Sequence, residues 1–272
     1  IDVLSLINNS VGQSNKSPSN PLFSVSSKYV SDLDRVSKRD GTFSVLQLNV
    51  QGLCSSFDEL KKIVRGGHPD FIGLCETFLD SKNESLLHLP GYKMEYLNRS
   101  RMAKGGLAVY VSECLPYSVR HDLSRNEEGI FESIFIEIKT QAKALIVGNI
   151  YRSPSGSVPY FLQILDEVLE IIQLHSCELV IMGDFNLNLC DRRSSSSLDF
   201  LSTMLACGTL PSACIPTRIT NTTASLLDNI FSSSTLVQNS ILMSDISDHF
   251  PVFSMYFPNR CIGGAKKLVF PL

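Results

Sequence analysis

Short apolar runs that end abruptly in polar residues dominate the chain. Phe43 to Val50, Asp70 to Glu76, Tyr92 to Leu97, Leu107 to Ser112, Ile130 to Ile138 and Leu145 to Tyr151 are each of strand length and bounded by turn residues, so each is predicted to be a strand. Leu179 to Met182, Leu226 to Ser232, Val237 to Met243 and Val252 to Phe257 extend the series. Three segments carry helical spacing instead. Phe57, Leu60, Ile63 and Val64 fall on one face after Ser55 or Ser56, which is predicted to cap that helix, and Gly66-Gly67 ends it. Pro159 suits the first turn of a helix running to Leu174, with Phe161, Leu162, Leu165, Val168, Leu169 and Ile172 as its apolar stripe. Leu198 to Cys207 reads as a short helix stopped by Gly208, after a polar loop from Arg192 to Ser197. Asp80 to Gly91 reads as a variable stretch.

Many strands with a few interspersed helices and short connections predict one α/β domain of two sheets packed face to face, helices outside. Residues 1–41 are rich in Ser, Asn, Asp and Lys and are expected to form a flexible polar leader, with the folded domain at 42–258 and a loose tail at 259–272. Limited proteolysis is then expected to leave a core near Phe43 to Phe257.

Composition narrows the function. The 272 residues can bury a sizeable core, and 43% hydrophobic content is that of a globular chain. A net charge of −3 argues against coating nucleic acid by bulk attraction, but not against a nuclease whose acidic residues hold a metal. The eight cysteines show no CxxC pair and no zinc spacing, and are expected to be buried, reduced thiols in an intracellular protein. IDVLSLINNS has no basic n-region, and no apolar run approaches a membrane span, so neither secretion nor a membrane is expected. The absence of an initial Met reads as a fragment.

The polar residues that close the strands are the candidate chemistry. In LVIMGDFNLN, Asp184 and Asn186 follow a buried strand and, at period two, point the same way. Asn49 ends one earlier strand, Glu76 another and Tyr151-Arg152 a third, while Ser247-Asp248-His249 precedes Phe250-Pro251-Val252. Singly, each is an ordinary strand end or turn. Together they suit phosphodiester hydrolysis. A hard cation wants carboxylate oxygens, which Glu76 offers; a water must be oriented or deprotonated, which Asp184 can do; Asn49 and Asn186 can hold phosphate oxygens. His249 can donate to the phosphoryl oxygen, with Asp248 as its partner or as a further metal ligand, and Tyr151-Arg152 add a phenol and a fixed cation.

The ordered set LNVQGL, CET, GGLAVYV, NIYRSP, GDFNLN, PTRIT, LLDNIF and SDISDHFPVF resembles the endonuclease/exonuclease/phosphatase superfamily, most of all the endonuclease domain of LINE-type non-LTR retrotransposons. The resemblance runs from Phe43 to Phe257. It implies a four-layer α/β/β/α sandwich of two mostly antiparallel sheets, and an endonuclease dependent on Mg2+ or Mn2+ that nicks double-stranded DNA to prime reverse transcription, in the nucleus. By position it implies catalytic roles for Asp184, Asn186, His249, Tyr151 and Asp248, and substrate contacts from Asn49, Thr217 and Ser247; Arg152, the fixed cation read from the strand end, is expected to contact the phosphate beside them. It also implies a metal set of Glu76, Asn49 and Asp248, with Asp228 in support. CET in place of QET and the absence of Trp set the chain apart from abasic-site repair enzymes, and Leu187-Asn188 from branches with a His after GDxN. A complete element encodes a reverse transcriptase after this domain, a partner here unseen, since no Tyr-x-Asp-Asp occurs. A truncated or degenerate copy and a boundary upstream of that domain both stay open. So do a silent or domesticated remnant that only binds, and another phosphoesterase of the superfamily. Target contacts are expected from loops Asn98 to Lys104 and Ile219 to Ala224, with Arg99, Arg101 and Lys104 toward phosphates or solvent.

Overall fold

A computed structural model describes residues 27–33, 41–80, 87–102, 104–139 and 143–257. Sixteen strands and three helices are assigned within them. The first sheet runs in the order β1 (Tyr29–Val30), β15 (Thr235–Leu242), β16 (Val252–Phe257), β2 (Phe43–Asn49), β3 (Phe71–Cys75), β5 (Leu107–Ser112), β4 (Tyr92–Leu97). The second runs β11 (Leu210–Pro211), β14 (Asp228–Ser232), β10 (Cys177–Asp184), β9 (Ala144–Tyr151), β8 (Phe131–Ile138), β6 (Tyr117–Val119), with β7 (Arg125–Glu127) also on β8. A small hairpin, β12 (Arg218–Ile219) and β13 (Ala224–Ser225), stands apart. Of the described pairings only β1 with β15, β2 with β3 and β9 with β10 are parallel.

The sheets pack face to face, with helices on the outer faces. Strand alternation sorts the side chains. On β2 and β3, Leu46, Leu48, Ile72 and Leu74 face α1 (Leu53–Gly67) and pack with its Leu53, Leu60, Ile63 and Val64. Val45, Phe43 and Phe71 turn the other way and join the core shared with the second sheet. That core extends to α2 (Val158–Gln173) and α3 (Ser195–Ala206) through Phe161, Leu165, Val168 and Phe200. At Gly73 the sheets approach closely: a Cβ there would sit 2.7 Å from the Met182 sulfur and 2.8 Å from Asn149 Oδ1. Asn149 is fully buried and spans the gap, its amide donating to the Leu74 carbonyl at 3.0 Å.

The helices differ from expectation in detail. Helix α1 begins before the expected serines, with Gly52 at the cap; Ser55 and Ser56 instead turn their hydroxyls back to the Gly52 and Val50 carbonyls. Its C-cap is His68 in the left-handed region (φ 40°). Helix α2 has Ser157 as N-cap and Ile164, rather than Leu162, in its buried stripe. Helix α3 starts at Ser195, inside the expected loop, because Ser194 caps it by accepting from Ser197 N. The described cysteines form no disulfide, yet Cys54, Cys114 and Cys190 are exposed and only Cys75 is buried, which corrects the expectation of buried thiols. No described helix is long and apolar enough to cross a membrane.

Order begins earlier than Phe43. Tyr29 and Val30 pair with Ile241 and Leu242, Leu33 is 2% exposed against Gly67, and Ser27 Oγ donates to the Ser212 carbonyl while accepting from Asn239. Two paired residues and one anchoring leucine make too short a pattern to stand out in a polar segment. The remainder of the expected leader, the expected tail and part of the Asp80 to Gly91 stretch lie outside the described residues. Leu33→Ala should therefore destabilise the protein by about 2–4 kcal/mol, as a buried leucine does. Urea unfolding measures it, and a loss under about 0.5 kcal/mol, typical of a surface substitution, would show that residues 27–33 do not hold the sheet edge.

Candidate active site

Topology gathers the strand ends. In the β2–α1–β3 unit both strands run parallel, so Asn49, the last residue of β2, lies beside Cys75, and Glu76 follows at the same edge. The β9–α2–β10 unit repeats the arrangement in the second sheet, pairing Tyr151 with Asp184. The neighbours β14 and β16 run antiparallel to these strands, so their starting ends reach the same edge. Asp228 therefore pairs directly with Asp184, and His249 enters just ahead of β16.

Two fully buried carboxylates in one cross-strand pair repel each other. The site offsets this with donors. Asp228 accepts from Thr217 Oγ1 and meets His249 Nδ1 through Oδ2, both at 2.8 Å, and accepts from Gln47 Nε2 through Oδ1 at 3.2 Å. Asp184 accepts from Asn49 Nδ2 at 2.8 Å, from the Asn186 amide N–H at 3.0 Å and from Asn186 Nδ2 at 3.2 Å. Burial, reinforced by the Asp228 charge, still lifts the Asp184 pKa to about 7, against the opposing pull of His249 and the amide donors. Burial alone would lower His249; the Asp228 charge and hydrogen bond, followed by the Asp184 and Asp248 charges, outweigh it and raise it to about 9. The imidazole is thus held charged, between two carboxylates, at neutral pH.

Glu76 sits at the rim of this cluster. Its Oε1 accepts from the Tyr151 phenol at 2.8 Å, and among the described residues Oε2 has no hydrogen-bond partner. Burial and then the Glu76 charge keep that phenol protonated, far above its ordinary value. The backbone around the site is strained: Gln51, Glu76, Phe78 and Asn186 all have φ between 46° and 54°, a region that costs non-glycine residues free energy and that clusters at working sites.

Asn49, Glu76, Tyr151, Asp184, Asn186, Asp228, Thr217, Ser247 and His249 are brought together at this edge. Four expected roles change. The His249 partner at Nδ1 is Asp228; Asp248 approaches Nε2 at 3.7 Å, because its own oxygens are engaged by Gln51 Nε2 at 2.6 Å and Arg218 Nε at 2.8 Å. Asp248 is therefore not an open metal ligand. Arg152 is not aimed at a phosphate. It is 3% exposed, and its guanidinium donates to the carbonyls of Phe185, Gly156 and Asn186, fixing the loop that carries Asn186. Arg99 is turned inward onto Glu132 rather than toward substrate. Ser247 donates to the Asn49 carbonyl at 2.6 Å, tying the two ends of the site rather than facing outward. Gln47, Gln51 and Arg218 were not anticipated. Gln47 had a visible signal, a polar residue two before Asn49 in an otherwise apolar strand.

Asp184, Asp228 and His249 place ligand-type atoms within 4.8 Å of one another. That triad satisfies itself: both Asp228 oxygens are occupied and Nδ1 faces a carboxylate. A hard cation fits better at Glu76, where a carboxylate oxygen remains to ligate it.

The Endonuclease/Exonuclease/phosphatase family matches residues 46–249, and the chain belongs to that family of nucleases and phosphatases. Among similar solved structures is the endonuclease domain of TRAS1, a telomere-specific non-LTR retrotransposon, at 15% identity and TM-score 0.63, covering 79% of this chain and 98% of that one. Another is the 3′ phosphatase NExo from Neisseria bound to product DNA hairpin, at 18% identity and TM-score 0.59, covering 79% and 99%. A third is an AP endonuclease from Archaeoglobus fulgidus, at 15% and 0.57, again covering 79% and 99%. At these identities they share the fold.

Arg152→Met should destabilise the protein by roughly 3 kcal/mol by orphaning buried carbonyls. The salt slope of any affinity for a polyanion such as heparin should stay unchanged. A slope reduced by about one, with stability intact, would restore a phosphate role to Arg152.

Proposed function

We propose that the protein is a divalent-metal-dependent endonuclease of the retrotransposon type that nicks double-stranded DNA. The observation that carries this reading is the juxtaposition of a buried carboxylate, Asp184, held by Asn49 and Asn186, with the imidazole of His249 held by Asp228. A carboxylate with a pKa near 7 is matched to accept a proton from water at working pH. Asn49 and Asn186 hold it in one orientation, so the attacking water would meet a fixed acceptor. His249, kept cationic, presents Nε2 as the donor for a phosphoryl oxygen whose charge grows in the transition state. Tyr151 holds Glu76 in the place where it would ligate a divalent cation. Bound there, the cation supplies charge neutralisation to the phosphate and the leaving oxygen. Members of the family generally use such a cation. The β12–β13 hairpin, with Ile219 45% exposed at one corner, is suited to contact the duplex beside the site.

The retrotransposon assignment rests on the ordered motifs and on the likeness to the TRAS1 domain. The relaxation of supercoiled plasmid with Mg2+ or Mn2+, abolished by a chelator, tests the activity. Removal of 3′ phosphates without nicking would favour a phosphatase, and a folded protein that binds DNA but leaves both substrates intact would favour a binding remnant.

Glu76→Gln should abolish metal-supported nicking while leaving the circular dichroism spectrum unchanged, since an amide of the same shape is a poor ligand for a hard cation. Wild-type nicking at low Mg2+ would remove Glu76 from the metal site. Asp184→Asn and His249→Ala should each lower the nicking rate by roughly 10²-fold or more while DNA affinity changes little. A parallel loss of binding and turnover in either variant would contradict its transition-state role.

A further inference from the structure

Arg99 and Glu132 form an ion pair with side chains 5% and 1% exposed, outside the cluster described above. Burying two charges costs free energy unless the remaining donors and acceptors are used, and here they are. Arg99 Nε and Nη2 both donate to Glu132 Oε1, while Oε2 accepts from the Gly106 amide at 2.8 Å. Arg99 Nη1 donates to the Lys104 carbonyl. Gly105 is at φ 117°, and its missing Cβ would lie in the guanidinium itself. The pair therefore shapes the Gly105-Gly106 turn.

That turn leads to Glu76. The Thr77 and Phe78 amides donate to the carbonyls of Gly106 and Gly105, at 3.3 and 3.0 Å. Between them these bonds hold the segment in which Glu76 and Phe78 adopt φ of 54° and 52°. A second path reaches the same carboxylate. Glu132 is the cross-strand partner of Tyr151, and the Arg99 guanidinium carbon lies 5.7 Å from the Tyr151 ring centroid. The phenol of that ring bonds Glu76 Oε1. Backbone and side chain of Glu76 are thus both braced from one ion pair. Farther out, Glu128 accepts from the amides of Ser100, Arg101 and Met102, so the loop that carries Arg99 is itself fastened.

We propose that the buried Arg99–Glu132 pair is a positioning device for Glu76, setting the affinity with which the site takes up its divalent cation. This rests on the reading of Glu76 as the cation's ligand. The groups around a ligand orient it, and their loss weakens metal binding by roughly 10- to 100-fold.

The test is Mn2+ titration of the intact protein, read by calorimetry and by the electron paramagnetic resonance of free Mn2+, beside thermal unfolding. Arg99→Lys, which keeps the charge and loses the fork, and Glu132→Gln are each expected to raise the Mn2+ Kd roughly tenfold. Their nicking should return toward wild type at high Mn2+. Arg99→Met/Glu132→Leu, which removes both charges, should show the same rise; if it fails to fold, the two single variants decide. A lowered Tm with an unchanged Kd would make the pair merely structural and overturn the proposal. Glu76→Gln separates the two readings. If it binds Mn2+ as tightly as wild type, Glu76 is not the ligand and both fall; if it loses Mn2+ while the Arg99 and Glu132 variants keep it, the positioning role alone is wrong.

Discussion

The direct pairing of Asp184 with Asp228 across β10 and β14 is the constraint on which the rest of the site depends. Both side chains are fully buried, and the pairing register places them opposite each other. In an ordinary core such a pair would be replaced by apolar residues at a gain in stability. Here it is kept, and the neighbours are accounted for by what it demands. Thr217, Gln47 and His249 hold Asp228, while Asn49 and Asn186 orient Asp184. The elements that carry those donors, β2, the β12 hairpin, the loop after β10 and the entry to β16, must then meet at one edge. Electrostatic necessity and sheet topology converge on the same place.

The two parallel units explain why the edge has this composition. A βαβ crossover places two carboxyl ends together, and each sheet has one with its ends at the site. Antiparallel neighbours add starting ends rather than finishing ends. Residues at the finish of β2, β9 and β10 therefore meet residues at the start of β14 and just before β16. Nothing in this placement needs the long loops to be ordered first. The later adjustments are local: positive φ at Gln51, Glu76, Phe78 and Asn186 turns the chain within three residues of a strand end.

Much of this was legible in the order of residues because strand ends were marked by contrast. An apolar run that stops at Asn49, Glu76, Tyr151 or Asp184 announces both the strand and the candidate group, and the period of two told which neighbours share a face. The elements that escaped notice lack contrast. The strands β1, β11, β12 and β13 are two residues long, below any periodicity. Roles escaped for a different reason. Asp248 stands next to His249 in sequence, yet the nearer partner in space is Asp228, twenty-one residues away, because pairing is set by the register of separate strands. Arg152 and Arg99 look like surface cations in a list of residues. Only the three-dimensional arrangement shows that carbonyls surround one and a carboxylate the other.

The two inward-turned arginines also change how the negative net charge should be understood. A phosphodiesterase that attracted DNA through its arginines would spend them at the surface. Arg152 and Arg99 are instead committed to holding Asn186 and the approach to Glu76. Arg218, partly exposed and bridged to His249, is occupied by Asp248. Positive charge in this site is thus mostly internal, placed to fix acidic groups and loop carbonyls; under the proposed function the attraction for a phosphate would come largely from His249 and a cation at Glu76. Under that function such a site is quiet toward polyanions until it is loaded, because Glu132 and Asp248 already neutralise Arg99 and Arg218 while carbonyls enclose Arg152. Under the proposed function, a cation loaded at Glu76 would supply the free positive charge that a phosphate backbone meets.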